Sequence, residues 1–439
     1  MAPARRAPNQ LADVDRPVHA WYRFVLSFPP HLVRDYLGRF GVGAGATVLD
    51  PFCGTGTTLV ECKKLGFQSV GLEGNPMARF AAAVKVDWRP APAGLRQRAA
   101  AVAAAVARAG ERPARTLPEE ARALLLRGSI SPRPLGRTLA LAARLARVGP
   151  RYRDHLRLAL AAAQPTEIGN LRFGPEVGVG PARRDAPVVE VWRARVETMA
   201  ADLEAVAGGP DTAVPAAVLA ADARDADRHL GPESIDAVVT SPPYPNEKDY
   251  TRTTRLESVV LGFLRTRAEL RALKQGLVRS NTRGVYAGDD DDRFVADHVE
   301  IGRLAAAIEA RRVELHKTSG FERLYPRVTR LYFGGLFRHL AGLRRALRPG
   351  ARLAYVVGDQ GSFLRVLIPT GRLLAGLADG LGYEVLGLDL FRLRRATATR
   401  TALREEVVVL RWPGPAGRGR RYSLGSSSPQ PSSAPAGAP

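Results

Sequence analysis

Residues 46–58 read ATVLDPFCGTGTT, and this stretch decides the fold. Ala46 to Leu49 form a short apolar run of the kind that becomes a strand buried on both faces, and Asp50 ends it. Gly54 and Gly56 then let the backbone turn tightly and approach a ligand closely, where a side chain would obstruct it. Thr57 to Leu65 has a helical pattern closed by Gly66, and Gln68 to Leu72 reads as a second strand ending at Glu73. Strand, glycine loop, helix, strand and acid, in that order, open a doubly wound α/β sheet. The spacing puts Glu73 where it can accept hydrogen bonds from the two ribose hydroxyls of a nucleoside cofactor.

Upstream, WYRFVLSFPPHLVRDY (21–36) is aromatic and apolar and ends in a helix that begins after Pro29-Pro30. Downstream, residues from about 91 to 209 are rich in Ala, Arg and Leu with helical periodicity and few strand signals, which predicts a largely helical insertion. Strand patterns resume at 217–221 and at Ile235 to Thr240, which leads straight into Ser241. Further on the patterns predict helices around Asp297 to Leu315 and over Leu331 to Leu347, a strand at Arg352 to Val357, and a closing pair at Tyr383 to Leu386 and Glu406 to Trp412. The expected organisation is a catalytic domain in two parts, 1–90 and 211–412, interrupted by a helical insertion at 91–210 available for target recognition. The Gly, Pro and Ser-rich tail at 413–439 cannot bury a core and is expected to be disordered.

A formal charge of +22 over 439 residues points to a polyanionic partner, since basic side chains that neutralise phosphates release condensed counterions. Part of that excess reflects the Arg and Ala bias of a GC-rich genome. No apolar run reaches the length of a membrane span, and the N-terminus lacks a signal-peptide core, so a cytoplasmic protein is expected. Two cysteines, Cys53 and Cys62, have neither zinc-site nor disulfide-framework spacing. The seven histidines form no paired ligand motif, and the acid run Asp289 to Asp292 lacks calcium-loop spacing and reads as solvated, so no metal is expected.

From Asp50 to Thr58 the chain resembles the amino-methyltransferases that act on DNA bases, whose first motif has the form D-P-F-x-G-x-G-T-T. The likeness extends over the segment near Trp21 and Ser27, residues 46 to 90, and 217 to 412. It implies a Rossmann-like methyltransferase sheet and S-adenosylmethionine held over Asp50, Phe52, Gly54 and Gly56. Glu73 would lie on the ribose, and Asp222 at the position that contacts the adenine ring. For Asp50, Glu73 and Asp222 the competing account is a glycine turn with strand-end carboxylates that cap neighbouring helices. Cys53 lies inside this loop, but cytosine carbon-5 enzymes use a cysteine that follows a proline. No Pro-Cys pair occurs here, so Cys53 reads as a small filler.

The same resemblance makes Ser241-Pro242-Pro243-Tyr244 the catalytic tetrapeptide. An exocyclic base amine is a poor nucleophile because its lone pair is delocalised into the ring. Oxygen acceptors that bind its hydrogens favour a tetrahedral nitrogen, and an aromatic face holds the base flat. Pro242 and Pro243 remove backbone donors and stiffen the turn, Ser241 offers an oxygen, and Tyr244 a stacking surface. Serine in the first position resembles the cytosine-N4 branch, whereas adenine-N6 enzymes more often carry Asp or Asn. The expected substrate is DNA. RNA is the alternative, because tRNA guanine-N2 methyltransferases share similar motifs, as is a non-catalytic nucleic-acid-binding protein on the same fold.

Two further segments carry open readings. Glu247 to Arg252 follows the tetrapeptide closely enough to line its pocket, or forms a solvated loop. QPTEIGNLRFGPEVGVG (164–180), with Arg172 and Phe173, is either a loop that reads or wedges into nucleic acid or a packed connector.

Overall fold

The computed structural model describes residues 11–22, 27–109, 115–174, 176–207, 213–395 and 402–415. The expected disordered tail lies, from residue 416 on, outside the described residues. The strands are β1 (Thr47–Asp50), β2 (Gln68–Leu72), β3 (Leu171–Phe173), β4 (Val177–Val179), β5 (Ala216–Leu219), β6 (Ile235–Thr240), β7 (Leu347–Gly358), β8 (Glu384–Arg395) and β9 (Ala402–Arg411). Seven of them make one sheet in the order β5-β2-β1-β6-β7-β9-β8, while β3 and β4 pair as a separate hairpin. The first five strands of that order run parallel, and β9 is antiparallel to both its neighbours. The chain moves outward from β1 through β2 to β5 and then restarts at β6 on the other side, so a crevice opens at the carboxyl ends of β1 and β6. This is the doubly wound sheet expected from residues 46–73.

Period-two alternation supplies both faces of the sheet. Val48, Ala237, Val239, Ala354 and Val356 turn to one side, where α1 (Pro30–Phe40) covers them with Leu32, Val33, Tyr36 and Leu37. Leu49, Val238, Leu353, Tyr355 and Val357 turn to the other, under a larger apolar cluster. The nucleotide-loop helix α2 (Thr57–Lys64) and the helix after β2, α3 (Pro76–Lys85), complete the first half.

The insertion is helical as expected: α4 (Pro92–Ala109), α5 (Pro132–Leu145), α6 (Pro150–Ala163) and α7 (Val188–Val206). It does not stand apart from the sheet domain, because Leu95, Leu141, Leu156 and Trp192 belong to the same buried cluster as Cys53, Leu59 and Met77 beside the glycine loop. Trp21 is buried and its Nε1 donates to Asp202 Oδ2 on α7 at 2.8 Å, so the N-terminal segment is pinned to the insertion.

The second half holds α8 (Arg255–Val260), α9 (Arg267–Gln275), α10 (Val299–Glu314), α11 (Gly320–Leu343) and α12 (Thr370–Gly380). Helix α11 begins eleven residues before the expected Leu331 and runs through Pro326. Ser319 accepts from the Glu322 amide to start it, and the buried face from Val328 to Leu343 carries it past a proline that local rules read as a boundary. Strand β8 is likewise longer than Tyr383 to Leu386, because ladder pairing with β9 continues to Arg395. Among the described residues, no helix is long and apolar enough to cross a membrane.

Candidate active site

The crevice at the switch point is a cavity of about 680 Å³. The loop after β1, the end of β2, the turn after β5, the Ser241 tetrapeptide after β6 and the end of β7 all open onto it. Of the ten residues expected at the site, Phe52, Gly54, Glu73, Asp222, Ser241, Pro242, Pro243 and Tyr244 line this one cavity. Asp50 and Gly56 stand just behind the wall. Gly56 has φ +85°, and a Cβ there would come 3.1 Å from Ala82 Cβ, so this glycine lets α3 pack against the loop. Gly54 has φ +52° and open space where its Cβ would be.

Asp50 is fully buried and ties the two halves of the site together. Its Oδ1 accepts from Thr240 Oγ1 at 2.6 Å and from the Phe52 amide at 3.2 Å. Its Oδ2 has no partner, and burial raises its pKa to about 6 against those two bonds. Glu73 splits its carboxylate between two loop amides, Gly54 N–H at 2.8 Å and Asn75 N–H at 2.7 Å. Burial raises it to about 7, with those amides opposing. Each oxygen keeps a lone pair, so the group can still accept two hydroxyls. Asp222 both faces the cavity and caps the turn after β5: its Oδ1 accepts from the Arg224 amide at 3.0 Å, and Arg224 also pairs with the buried Asp291. Cys53 fills the gap beside Gly71, where a Cβ would stand 2.8 Å from its Sγ, and burial pushes its thiol up.

On the other side of the cavity, Ser241 Oγ donates to Val356 O at 3.0 Å across β6 and β7. With its proton so placed, the hydroxyl presents lone pairs to other groups. The Tyr244 amide donates to Tyr250 Oη at 3.0 Å. One edge of its ring lies close to Gly358, where a Cβ would meet Tyr244 Cε2 at 2.9 Å. Burial and Glu405 push the Tyr244 phenol upward. The segment after the tetrapeptide does line the pocket: Glu247, Lys248, Asp249 and Tyr250 all face it. Asp249 is buried, pairs with Lys274 at 2.7 Å and caps the turn at Tyr250. Glu247 Oε1 and Asn281 Oδ1 are buried acceptors with no partner.

The acid run at 289–292 is solvated only at Asp290, and every one of its carboxylates is paired. Each carboxylate meets a different arginine: Asp289 with Arg279, Asp290 with Arg293, Asp291 with Arg224 and Asp292 with Arg327. Arg279, itself buried, grips Asp289 through two nitrogens and fixes the loop that carries Ser280 and Asn281 on the cavity wall. Among the described residues, no group of three His, Cys, Asp or Glu side chains is placed to hold a metal ion.

Sequence reasoning missed His339 and Glu405. His339 on α11 is buried, with Nδ1 2.8 Å from Ala223 O and Nε2 2.8 Å from Tyr355 Oη, and burial lowers it to about 4. A neutral ring that donates to Ala223 and accepts from Tyr355 anchors the turn bearing Asp222, while its edge contacts Phe52 at 4.9 Å between centroids. Nothing near residue 339 in the sequence signals this. Glu405 lines the cavity beside Tyr244, pairs with Arg392 and Arg394, and is the first of two acids opening an apolar strand, a readable signal.

A nucleoside fits these groups: a carboxylate with spare lone pairs at the end of β2, a glycine turn with open space above it, and an aromatic edge at Phe52. Such a cavity suits a nucleoside cofactor, and similarity to known proteins supplies the class, an S-adenosylmethionine-dependent methyltransferase. The family model described as DNA methylase, of the N6 and N4 type, matches residues 12–82. The chain is 23% identical over 465 residues to the type II methyltransferase M.BsoBI of Geobacillus stearothermophilus, covering 92% of this chain and 87% of that one. It is 38% identical over 70 residues to the type II methyltransferase M.MjaII of Methanocaldococcus jannaschii, 16% of this chain and 13% of that one. Over 63 residues it is 38% identical to the tRNA (guanine(10)-N2)-dimethyltransferase of Methanothermobacter thermautotrophicus, 14% of this chain and 15% of the relative. The chain is thus similar to DNA amino-methyltransferases, through the family model over residues 12–82 and through M.BsoBI over most of its length.

The contact at Gly358 has a direct consequence. Gly358→Ala is expected to push the Tyr244 ring off its seat and lower methyl transfer by about tenfold to a hundredfold, because reactions of this kind tolerate little misplacement. Cofactor affinity is expected to stay within about twofold. Single-turnover rates set beside calorimetric titration check both halves, and an unchanged rate would free Tyr244 from a fixed position.

Proposed function

We propose that this methyltransferase acts on the exocyclic N4 amine of cytosine in duplex DNA. The observation that carries the reading is the acceptor character of the tetrapeptide corner. Ser241 donates its hydroxyl hydrogen bond to Val356 O, and Pro242 and Pro243 have no N–H, so what this corner offers a substrate is oxygen lone pairs. Such a corner suits an amine whose two hydrogens must be drawn away from the ring plane. Tyr244 supplies the surface on which a flipped base stacks.

In this reading Glu73 takes the ribose hydroxyls, Asp222 the amino edge of the cofactor's adenine, and Phe52 and Gly54 line the floor. Asp50 and Gly56 shape the loop from behind. When bound, S-adenosylmethionine supplies an electrophilic methyl group on its sulfonium. The chain's own residues hold the base amine in line, accept its hydrogens and keep the cavity walls rigid.

Base-resolved mapping of modified positions in DNA from cells expressing this chain, against a Tyr244→Ala control, tests the assignment. N4-methylcytosine at a defined sequence supports it. N6-methyladenine would move the target to the other branch, and methylation of RNA alone would overturn the DNA reading. Ser241→Asp, which restores the first residue more usual in adenine enzymes, is expected to abolish cytosine transfer if cytosine is the target.

Binding to duplex DNA is expected to weaken steeply with salt, in keeping with a charge of +22, and the transfer itself to proceed in excess chelator. Titrations across salt concentrations and rates with and without chelator check the two statements, and a strict requirement for a divalent ion would contradict the mechanism.

A further inference from the structure

The hairpin of β3 and β4 interrupts an otherwise helical insertion and has no place in the chemistry described above. Its base is clamped. Asn170 N–H donates to Ser129 O at 2.7 Å, Asn170 Nδ2 donates to Gly128 O at 2.9 Å, and its Oδ1 accepts from the Arg183 amide at 2.9 Å. Gly180 N–H closes the far strand onto Asn170 O at 2.6 Å. Leu171 is buried against Leu256 and Val260 on α8.

The tip is different. Glu176 stands on the rim of the catalytic cavity, where its charge acts on both Glu247 and Lys248. Near it, Phe173 is only partly buried and joins none of the apolar clusters among the described residues, although it shares its strand with the buried Leu171. Arg172, between them, is exposed. An aromatic ring left partly in water on a clamped hairpin, next to an arginine and three residues from Glu176 on the cavity rim, has lost burial energy that packing would have supplied.

We propose that this hairpin enters the DNA duplex beside the target, with Phe173 filling the space the base leaves when it swings into the cavity and Arg172 holding a flanking phosphate or base edge. A flat apolar side chain replaces the lost stacking, and the rigid base delivers it at a fixed distance from Tyr244. The inference rests on the DNA reading proposed above.

The test uses the full chain and a duplex carrying the sequence mapped in cells, prepared in two forms: with the target base paired, and with it opposite an abasic site, where little is left to displace. Phe173→Ala is expected to slow single-turnover methylation of the paired duplex by about tenfold or more, and that of the abasic-opposed duplex by less than about threefold. Phe173→Trp is expected to restore the paired rate, and cofactor affinity to be unchanged in both variants. Equal losses on the two duplexes, or no loss on either, overturn the wedge. Wild-type protein that methylates neither duplex refutes the DNA reading itself, so the two failures are distinguishable.

Discussion

Tyr244→Ala is expected to reduce methyl transfer by about a hundredfold to a thousandfold while leaving S-adenosylmethionine affinity within about twofold. The asymmetry follows from position. Tyr244 is on the tetrapeptide side of the cavity, its ring edge against Gly358 and near Glu405 and its amide bonded to Tyr250, whereas the loop expected to hold the cofactor follows β1. Removing the ring leaves the Gly54 and Glu73 side unchanged and takes away the face proposed to stack the base. A base free to shift by about an ångström loses roughly a hundredfold in rate, and loss of stacking adds to it. Single-turnover methylation with calorimetric titration of the cofactor separates the two quantities. A variant that transfers methyl groups at the wild-type rate would remove Tyr244 from the reaction, and one that loses cofactor binding would relocate it.

Glu73→Ala is expected to do the reverse, weakening cofactor affinity by about tenfold to a hundredfold, the cost of losing charge-assisted bonds worth roughly 1.5 to 3 kcal/mol. Glu73→Gln is expected to be no milder. The native carboxylate accepts from two amides at once, and a glutamine would turn an NH2 donor toward either the Gly54 or the Asn75 N–H. The pH dependence has a definite sign. Burial raises this acid from its ordinary 4.5 to about 7, so its contribution to stability is fully present below about 4.5 and is lost as pH rises through about 7. Cofactor binding is expected to run the other way, strengthening as pH climbs toward and past 7, because only the ionised group can accept from two amides and two hydroxyls together. Titrations from acid to mildly basic pH check this, and a pH-independent affinity in the wild type would rule out the ribose role.

Much of this was legible in the chain because it depends on neighbours in sequence. A strand buried on both faces must be apolar throughout, a tight turn against a ligand needs glycine, and a strand-end acid follows at a fixed interval. Residues 46–73 satisfy all three within one local stretch, so the sheet and the β1–β2 side of the cavity wall followed from them. Ser241 to Tyr244 was readable for a similar reason, since a polar proline turn directly after Ile235 to Thr240 can only sit at a strand end.

Other parts are decided by partners far away in sequence. Pro326 reads as a helix boundary, yet eleven buried residues between Val328 and Leu343 hold the helix through it, because burial across a long face outweighs one lost hydrogen bond. Asp289 to Asp292 reads as a solvated acid run, yet only the Asp290 pair with Arg293 is local and exposed; Arg224, Arg279 and Arg327, from other segments, take the carboxylates of Asp291, Asp289 and Asp292, an outcome set by the fold. His339 reaches Ala223 across 116 positions and Trp21 reaches Asp202 across 181, contacts that no local pattern encodes. The sequence by itself determined the doubly wound sheet, the glycine loop and the acceptor tetrapeptide, each a matter of backbone geometry over a few residues. Only the tertiary structure decided that Gly56 serves helix packing, that Asp50 ties β1 to Thr240, and that the Arg172 hairpin stands at the mouth of the cavity, because those roles depend on which distant surfaces the closed core presses together.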